Sequence, residues 1–492
     1  MALRARLSPP RVEREIWPWH QAKWGEFPAS LLSSGDRRME GETFLASGYG
    51  LRCAMEARKT GWDRMQEFAR TWQPSRLKGI LVDQEYGTPF LAATQVFDIR
   101  PMPRKWLAIS RIKQPKELFV TSGTILVTRS GSVGRATLAH TPHLNTIISD
   151  DLLRIEPRDP NLWGWLYAYL RSPHARAMMR AAQYGHIIKH LEVSHLDALP
   201  VPLLRDDLLA DFNKNVSIIL SLRIQAQNEY IQAEKTYRSA FPSFQENSTS
   251  LFFEARSCEF YSPRIRLDAH CFNDTYKFIS RAFNQDAIRV DDLSSVIDKI
   301  FVPGRFKHIY GDGGMPYLDS ADILEVSPDI TKYVLSLSDD KQSNYKVDKG
   351  SILMPCSGQL YGNIGQVVLA TSWHESKLLS NHIMRISPCV EKIHPGYLQC
   401  VLGDPILGRP LVIRYAFGSS VPELAPEDIA TIQIPRIDPG QEHDIGELME
   451  HAAQHRREAD EAEEECALLA ETILDRFIAG DTHEVALLNP HR

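Results

Sequence analysis

Four glycine-bounded stretches of this 492-residue chain carry side chains that could bond to base edges or phosphates, and they form two pairs. Arg129 and Ser130 lie in Gly123-Thr-Ile-Leu-Val-Thr-Arg-Ser-Gly131. Gln359 and Tyr361 follow the matching Gly350-Ser-Ile-Leu-Met-Pro-Cys-Ser-Gly358. His186 and Lys189 lie in Gly185-His-Ile-Ile-Lys-His-Leu191, and Ser419 and Ser420 in Gly418-Ser-Ser-Val-Pro-Glu-Leu424. Hydroxyl, amide, imidazole and ammonium groups on short turns can reach into a DNA groove, although an ordinary surface loop has the same composition. A third set is basic: Arg76 and Lys78 in Pro74-Ser-Arg-Leu-Lys78, matched by Arg305 and Lys307 in Pro303-Gly-Arg-Phe-Lys307. A cation pair kept in both places points to phosphate.

Catalytic signatures are missing. The sequence has no Walker loop, no G-x-G-x-x-G in a strand–helix context and no G-x-S-x-G elbow. The Asn/Asp-Pro-Pro-aromatic word of adenine methyltransferases is absent, and no E-x-K completes a nuclease pattern after Pro328-Asp329. Asp150-Asp151 and Asp339-Asp340 could hold a metal, but Asn381-His382 stands in place of the first pair in its partner stretch, which favours a turn role. The seven cysteines are scattered without a C-x-x-C pair, as expected of free thiols in a reducing compartment, and no histidine spacing marks a metal site. The expectation is a non-enzymatic, cytoplasmic chain with no metal and no membrane span.

The elements that must position these residues are themselves duplicated. The Gly123 and Gly350 stretches are offset by 227 positions, as are Gly87-Thr-Pro-Phe-Leu91 and Gly314-Met-Pro-Tyr-Leu318. After a four-residue insertion, Ser149-Asp-Asp-Leu-Leu-Arg-Ile155 matches Ser380-Asn-His-Ile-Met-Arg-Ile386; the copies close on Leu199-Pro-Val-Pro202 and Ile432-Gln-Ile-Pro435. A register held over this span identifies a duplicated domain. Strand signals at Ile80–Val82, Ile125–Val127 and Leu152–Ile155, with a helical pattern over Leu162–Met179, make each copy a mixed α+β unit.

A long helix is expected after each copy. The first has a seam of Leu209, Phe212, Val216, Ile219, Arg223, Ala226, Tyr230, Ala233, Tyr237 and Ala240; the second, of Ile445, Leu448, Ala452, His455, Ala459, Ala462, Cys466, Leu469, Ile473 and Arg476. Each seam spans roughly 46 Å at about 1.5 Å per residue. Their equal length suggests an antiparallel pair, with Glu458, Asp460, Glu461, Glu463, Glu464 and Glu465 on its solvated face. The net charge of −6 hides an asymmetry: residues 1–205 carry 29 Lys and Arg against 19 Asp and Glu, whereas residues 438–492 carry 4 against 15. The expected boundaries are an unassigned extension at 1–45, domains at 46–203 and 250–437, helices at 204–243 and 438–480, and a tail at 481–492.

This order of domain, helix, domain, helix, with the G-T-I-L-V-T-R-S-G and G-S-S-V-P-E-L words, resembles the DNA-specificity subunit of type I restriction–modification systems over residues 45–480. The resemblance implies two tandem target-recognition domains, each reading one half of an asymmetric split site in double-stranded DNA. It implies helices that fix the gap between half-sites and dock adenine methyltransferase subunits, with a restriction and translocation subunit as a further partner. S-adenosylmethionine, ATP and the catalytic groups would then sit on those partners, with no cofactor in this chain. The alternative is a non-catalytic scaffold of another antiphage complex that kept the architecture without reading sequence. If Lys78 contacts phosphate, Lys78→Ala will weaken binding to all DNA sequences alike; a changed sequence preference contradicts that role.

Overall fold

A computed structural model of the chain describes residues 12–17, 20–24, 47–76, 79–111, 115–182, 190–245, 254, 256–257, 269–335, 337 and 342–485. In the N-terminal extension, strands β1 (Val12–Trp17) and β2 (His20–Trp24) pair antiparallel.

The first copy opens with a helix, Ser47–Glu56, followed by β3 (Trp62–Arg64), β4 (Ala69–Trp72), β5 (Leu81–Val82), β6 (Thr88–Leu91), β7 (Lys105–Leu107), β8 (Ile125–Thr128), β9 (Ala136–Leu138), β10 (Ile147–Ile148), β11 (Leu152–Pro157) and β12 (Pro200–Pro202). The larger sheet has the order β4-β11-β8-β9, the smaller β10-β6-β7-β5, and β12 pairs with β3. The second copy opens with Thr275–Asp286 and continues through β13 (Arg289–Asp292), β14 (Ile297–Phe301), β15 (Tyr310–Leu318), β16 (Tyr333–Val334), β17 (Ile352–Pro355), β18 (Val368–Leu369), β19 (Leu378–Leu379), β20 (Ile383–Pro388) and β21 (Gln433–Arg436). Its sheets are β14-β20-β17-β18 and β16-β15-β19, and β13 pairs with β21. Even the one parallel pairing recurs, β10 on β6 and β19 on β15. The duplication read from sequence is thus a duplication of topology.

The central strand β8 explains its own composition. All four of its residues are buried. Ile125 and Val127 join the main core, while Leu126 faces a second core with Leu91, Ile148 and Leu152. A strand covered on both faces loses polar alternation and reads as a continuous apolar run.

The helical pattern over 162–179 divides into Trp163–Arg171 and Pro173–Ala182. Ser172 is extended, and proline disfavours helical backbone in the residue before it. A Cβ on Gly164 would lie 2.5 Å from the backbone of Phe212 and Asn213, and one on Gly396 2.2 Å from the Gly446 carbonyl. Each copy therefore presses a helix of its own onto a long helix at a point where only glycine fits. Trp165 Nε1 donates to the Pro202 carbonyl at 2.9 Å, and the Tyr397 hydroxyl to Pro435 at 2.7 Å, tying the same helix to the closing strand in each copy.

The long helices span Asp206–Ser239 and Pro439–Ala479. Two compact units result: residues 1–222 with 459–492, and residues 223–458. In the first unit, Leu209, Phe212, Val216 and Ile219 share a core with Ala459, Cys466, Ala470, Ile473 and Phe477. In the second, Tyr230, Ala233 and Tyr237 share one with Ile445, Met449, Ala452 and Ala453. Early turns of one helix meet late turns of the other in the first unit, and the reverse holds in the second. Within each unit, the helices run antiparallel.

The expected second seam needs correction. Leu469 is 45% exposed, Arg476 faces solvent, and Met449, Ala470, Leu474 and Phe477 are buried instead. A 3.6-residue helix drifts against a heptad repeat, and the globular domain covers a second flank of the helix. Glu463 also leaves the acidic face. It is buried, accepts a hydrogen bond from the Tyr167 hydroxyl and pairs with Arg171 at 3.4 Å. Arg223, the polar break in the first seam, is buried and donates to the carbonyl of Arg456, itself buried.

His143 and His374 recur at matching positions. Each accepts at Nδ1 from the backbone N–H three residues earlier, His140 at 3.0 Å and Thr371 at 3.1 Å. Burial lowers His143 to about 4 and His374 to about 3. The folded form therefore resists protonation, so stability is retained above about pH 6.5 and falls as pH drops towards 4. For His143 the loss by pH 4 is about 3 kcal/mol at 1.36 kcal/mol per pKa unit. His143→Asn, which keeps an acceptor, is expected to flatten the acid limb of urea-midpoint measurements for the first unit.

Candidate nucleic-acid interface

In both units the turn after the central strand meets the loop that returns from the helical segment, through the same backbone contacts. Arg129 N–H donates to the Asp151 carbonyl at 3.0 Å, and its own carbonyl accepts from Leu191 N–H at 2.8 Å. Cys356 N–H donates to the His382 carbonyl at 2.9 Å and accepts from Leu424 N–H at 2.8 Å. Ser130 bridges to His190 as Ser357 bridges to Glu423.

The side chains on this shared frame differ. In the first unit Arg129 Nη1 lies 3.3 Å from His190 Nδ1 and 3.7 Å from the Asp151 carboxylate, with its side chain 18% exposed. In the second, Ser357 Oγ meets His382 Nδ1 at 2.7 Å, and burial raises the Cys356 thiol to about 11, which makes it a packing group and no nucleophile. Gly358 N–H donates to the Pro422 carbonyl at 3.1 Å, which brings two predicted sets together. Gln359 and Tyr361, the latter 71% exposed, project from one turn. Ser419 and Ser420 are exposed at the tip of a loop closed by reciprocal hydrogen bonds between Phe417 and Glu423 at 2.9 and 2.7 Å.

Arg76, Arg305 and Lys307 are exposed on a different segment, the connection from the larger to the smaller sheet. Lys78, His186, Lys189 and the Asp339-Asp340 pair lie outside the described residues. Residues Gly131–Gly134 and Gly358–Gly365 are hairpin connections, β8 to β9 and β17 to β18. Asp150-Asp151 serves a turn as expected: Gln73 donates to the Asp150 carbonyl at 2.9 Å, and Asp151 faces Arg129.

Sequence reasoning passed over the groups that hold this frame. Arg154 and Arg385 are 0% and 1% exposed. Arg154 donates to the carbonyls of Ser149 at 2.9 Å, Ile148 at 2.7 Å and Leu152; Arg385 donates to those of Ser380 at 2.9 Å, Leu379 at 2.7 Å and Ile383. Burial lowers both to about 10, so both remain cationic at neutral pH. Each clamps the turn that supplies Asp151 or His382 to the neighbouring turn. The signal was in view, since Ser-x-x-x-x-Arg-Ile occurs in both copies, but arginine is seldom buried and reads by default as surface. Arg409 was also missed; its Nη2 donates to the Gly362 carbonyl at 2.7 Å and holds the turn that carries Gln359 and Tyr361.

His394, His443 and Glu447 bring potential ligand atoms within 4.8 Å of one another. His394 Nδ1 already accepts from Gly396 N–H at 3.2 Å as a helix cap, with Nε2 3.2 Å from Glu447. Among the described residues no helix is long and apolar enough to cross a membrane.

No protein-family model matches the sequence, and no curated protein matches it. Solved structures do align with it. The type I restriction–modification S subunit from M. genitalium is 14% identical with a TM-score of 0.31, over 85% of this chain and 96% of that one. The HsdS subunit from Thermoanaerobacter tengcongensis is 13% identical with a TM-score of 0.25, over 85% and 96%. The chain is similar to type I specificity subunits. The type IIG restriction endonuclease BpuSI aligns over 42% of this chain and 32% of its own, at 15% identity and a TM-score of 0.26.

Arg154→Met removes the guanidinium donor from the Ile148, Ser149 and Leu152 carbonyls, of which Ser149 keeps the Leu152 N–H. The expected cost is roughly 1–3 kcal/mol for each carbonyl left without a donor, with the same sign for Arg385→Met in the second unit; unit-resolved urea unfolding checks this. Arg409→Met is expected to speed amide hydrogen exchange over 359–366 alone, at a cost of roughly 1–3 kcal/mol.

Proposed function

We propose that this chain is a non-catalytic DNA-recognition subunit whose two units read the two halves of an asymmetric site. The observation that carries this reading is the frame repeated in both units with different side chains on it. Identical backbone contacts hold Arg129, Asp151 and His190 in one unit and Cys356, His382 and Glu423 in the other. A common scaffold with different polar groups at its rim suits one mode of docking and two different base sequences. Arg129 and Ser130 in the first unit, and Gln359, Tyr361, Ser419 and Ser420 in the second, are the groups assigned to base edges, with His186 and Lys189 joining the first set. Arg76, Lys78, Arg305 and Lys307 are assigned to phosphates.

The long helices serve as spacer and as the docking surface for partner adenine methyltransferase subunits, which bind S-adenosylmethionine; a restriction and translocation subunit joins where the assembly also cleaves. Methylation-sensitive long-read sequencing of host DNA, with the gene present and deleted, tests this. Deletion is expected to erase one split, asymmetric modified motif. If no motif changes, methyltransferase targeting is wrong and the scaffold reading takes its place. Arg305→Ala is expected to weaken binding without altering preference, and to reduce the slope of log K against log salt by about 0.9.

A further inference from the structure

Among the exposed apolar residues, one set recurs at the same place in each copy. Ile80 and Leu81 are 52% and 61% exposed, and Ile309 and Tyr310 are 50% and 49% exposed. The backbone puts the two pairs in one register. The Ile80 carbonyl accepts from Ala108 N–H at 3.0 Å and the Ile309 carbonyl from Leu335 N–H at 2.8 Å. Leu81 lies opposite Leu107, and Tyr310 opposite Val334. In each copy the pair follows an exposed arginine, Arg76 or Arg305, by four residues.

Large apolar side chains on a strand edge invite aggregation, and edges are ordinarily protected by charge or proline. Keeping two such residues in both copies calls for a partner. Consecutive strand residues point to opposite faces, so each pair forms a ridge astride the strand and not a flat patch. The second ridge is broader and aromatic. His308 stacks on Tyr310 at 5.6 Å with an interplanar angle of 18°, and Leu335 and Tyr333 are exposed beside it. A narrow apolar ridge next to cations fits a duplex better than a protein surface, because a stable protein interface needs about 800 Å² from each partner.

We propose that Ile80 with Leu81, and Ile309 with Tyr310, are apolar wedges that each unit drives against a base step while the neighbouring arginine holds phosphate. Part of the recognition is then a test of how readily the DNA deforms at that step. The leucine and tyrosine wedges would favour different steps. This inference rests on the DNA-recognition reading above.

The test uses the full chain, purified with the partners it retains from its host, carrying Ile80→Ser with Leu81→Ser, or Ile309→Ser with Tyr310→Ser. Binding is measured on random-sequence duplexes and on duplexes carrying the motif found by methylation mapping, labelled for end-to-end energy transfer to read bending. Each double variant is expected to lose ten-fold or more in affinity for the motif, to lose bending, and to keep the salt slope and melting temperature of the parent chain. Unchanged affinity and bending overturn the wedge. So does loss of a co-purifying protein with DNA binding intact, which makes the ridge a protein-docking face. If the parent complex binds neither kind of duplex, the DNA-recognition reading fails along with the wedge.

Discussion

Carbonyl groups turned into a protein interior must find donors, and at one turn of each unit a buried arginine supplies several of them. Arg154 reaches three carbonyls and Arg385 four, each from a single planar guanidinium. Lysine has no such fixed fork and would be a poor replacement. The cation is costly to bury, and its lowered basicity records that cost. In return the turn before β11 or β20 has one shape. The next turn inherits that shape through the carbonyls of Asp151 and His382, and the returning loop inherits it through Leu191 and Leu424. The exposed rim is thus three hydrogen-bonded steps from a buried charge.

That hierarchy explains where the two copies have diverged. Positions that bond through their backbone tolerate different side chains, so Cys356 stands in the second copy where Arg129 stands in the first, and His382 where Asp151 stands, with the same backbone contacts. The side chains that hold a turn from within, Arg154 with Arg385 and His143 with His374, are the same in both copies. Close helix crossings are fixed as well, at Gly164 and Gly396, where any Cβ would meet backbone. Variation at the rim, as at His190 against Glu423, changes surface chemistry while the backbone contacts persist.

Much of this was legible in the sequence, because a duplication prints the same turn residues twice. Gly123 and Gly350 marked the approach to the central strands, and Pro202 and Pro435 fell within the closing strands β12 and β21, although the compact units end elsewhere, at residues 222 and 458. The long helices were legible from their spacing. The burial of particular helix positions was not. Leu469 and Glu463 exchanged their expected environments because a helix packed on two partners has two buried stripes, and a single periodicity reports only one. The clamp arginines escaped for a related reason: residue type predicts average burial, whereas Arg154 and Arg385 are buried for the carbonyls around them. At the rim, sequence order could not place Pro422 beside Gly358, since that contact depends on the loop closed by Phe417 and Glu423.

The division of the chain into units has a consequence for how the protein is made. Residues 223–458 form the second unit from one uninterrupted stretch. The first unit takes Ile473, Leu474 and Phe477 into its core, along with Val485. A ribosome therefore delivers a complete set of parts for the second unit before it delivers the last parts of the first. Although its sequence emerges first, the amino-terminal domain must wait with the face of Phe212, Val216 and Ile219 uncovered while more than two hundred further residues are added. Vectorial synthesis would then reverse the usual order, in which amino-terminal domains fold first, and nascent-chain chaperones would have their main task at that waiting face.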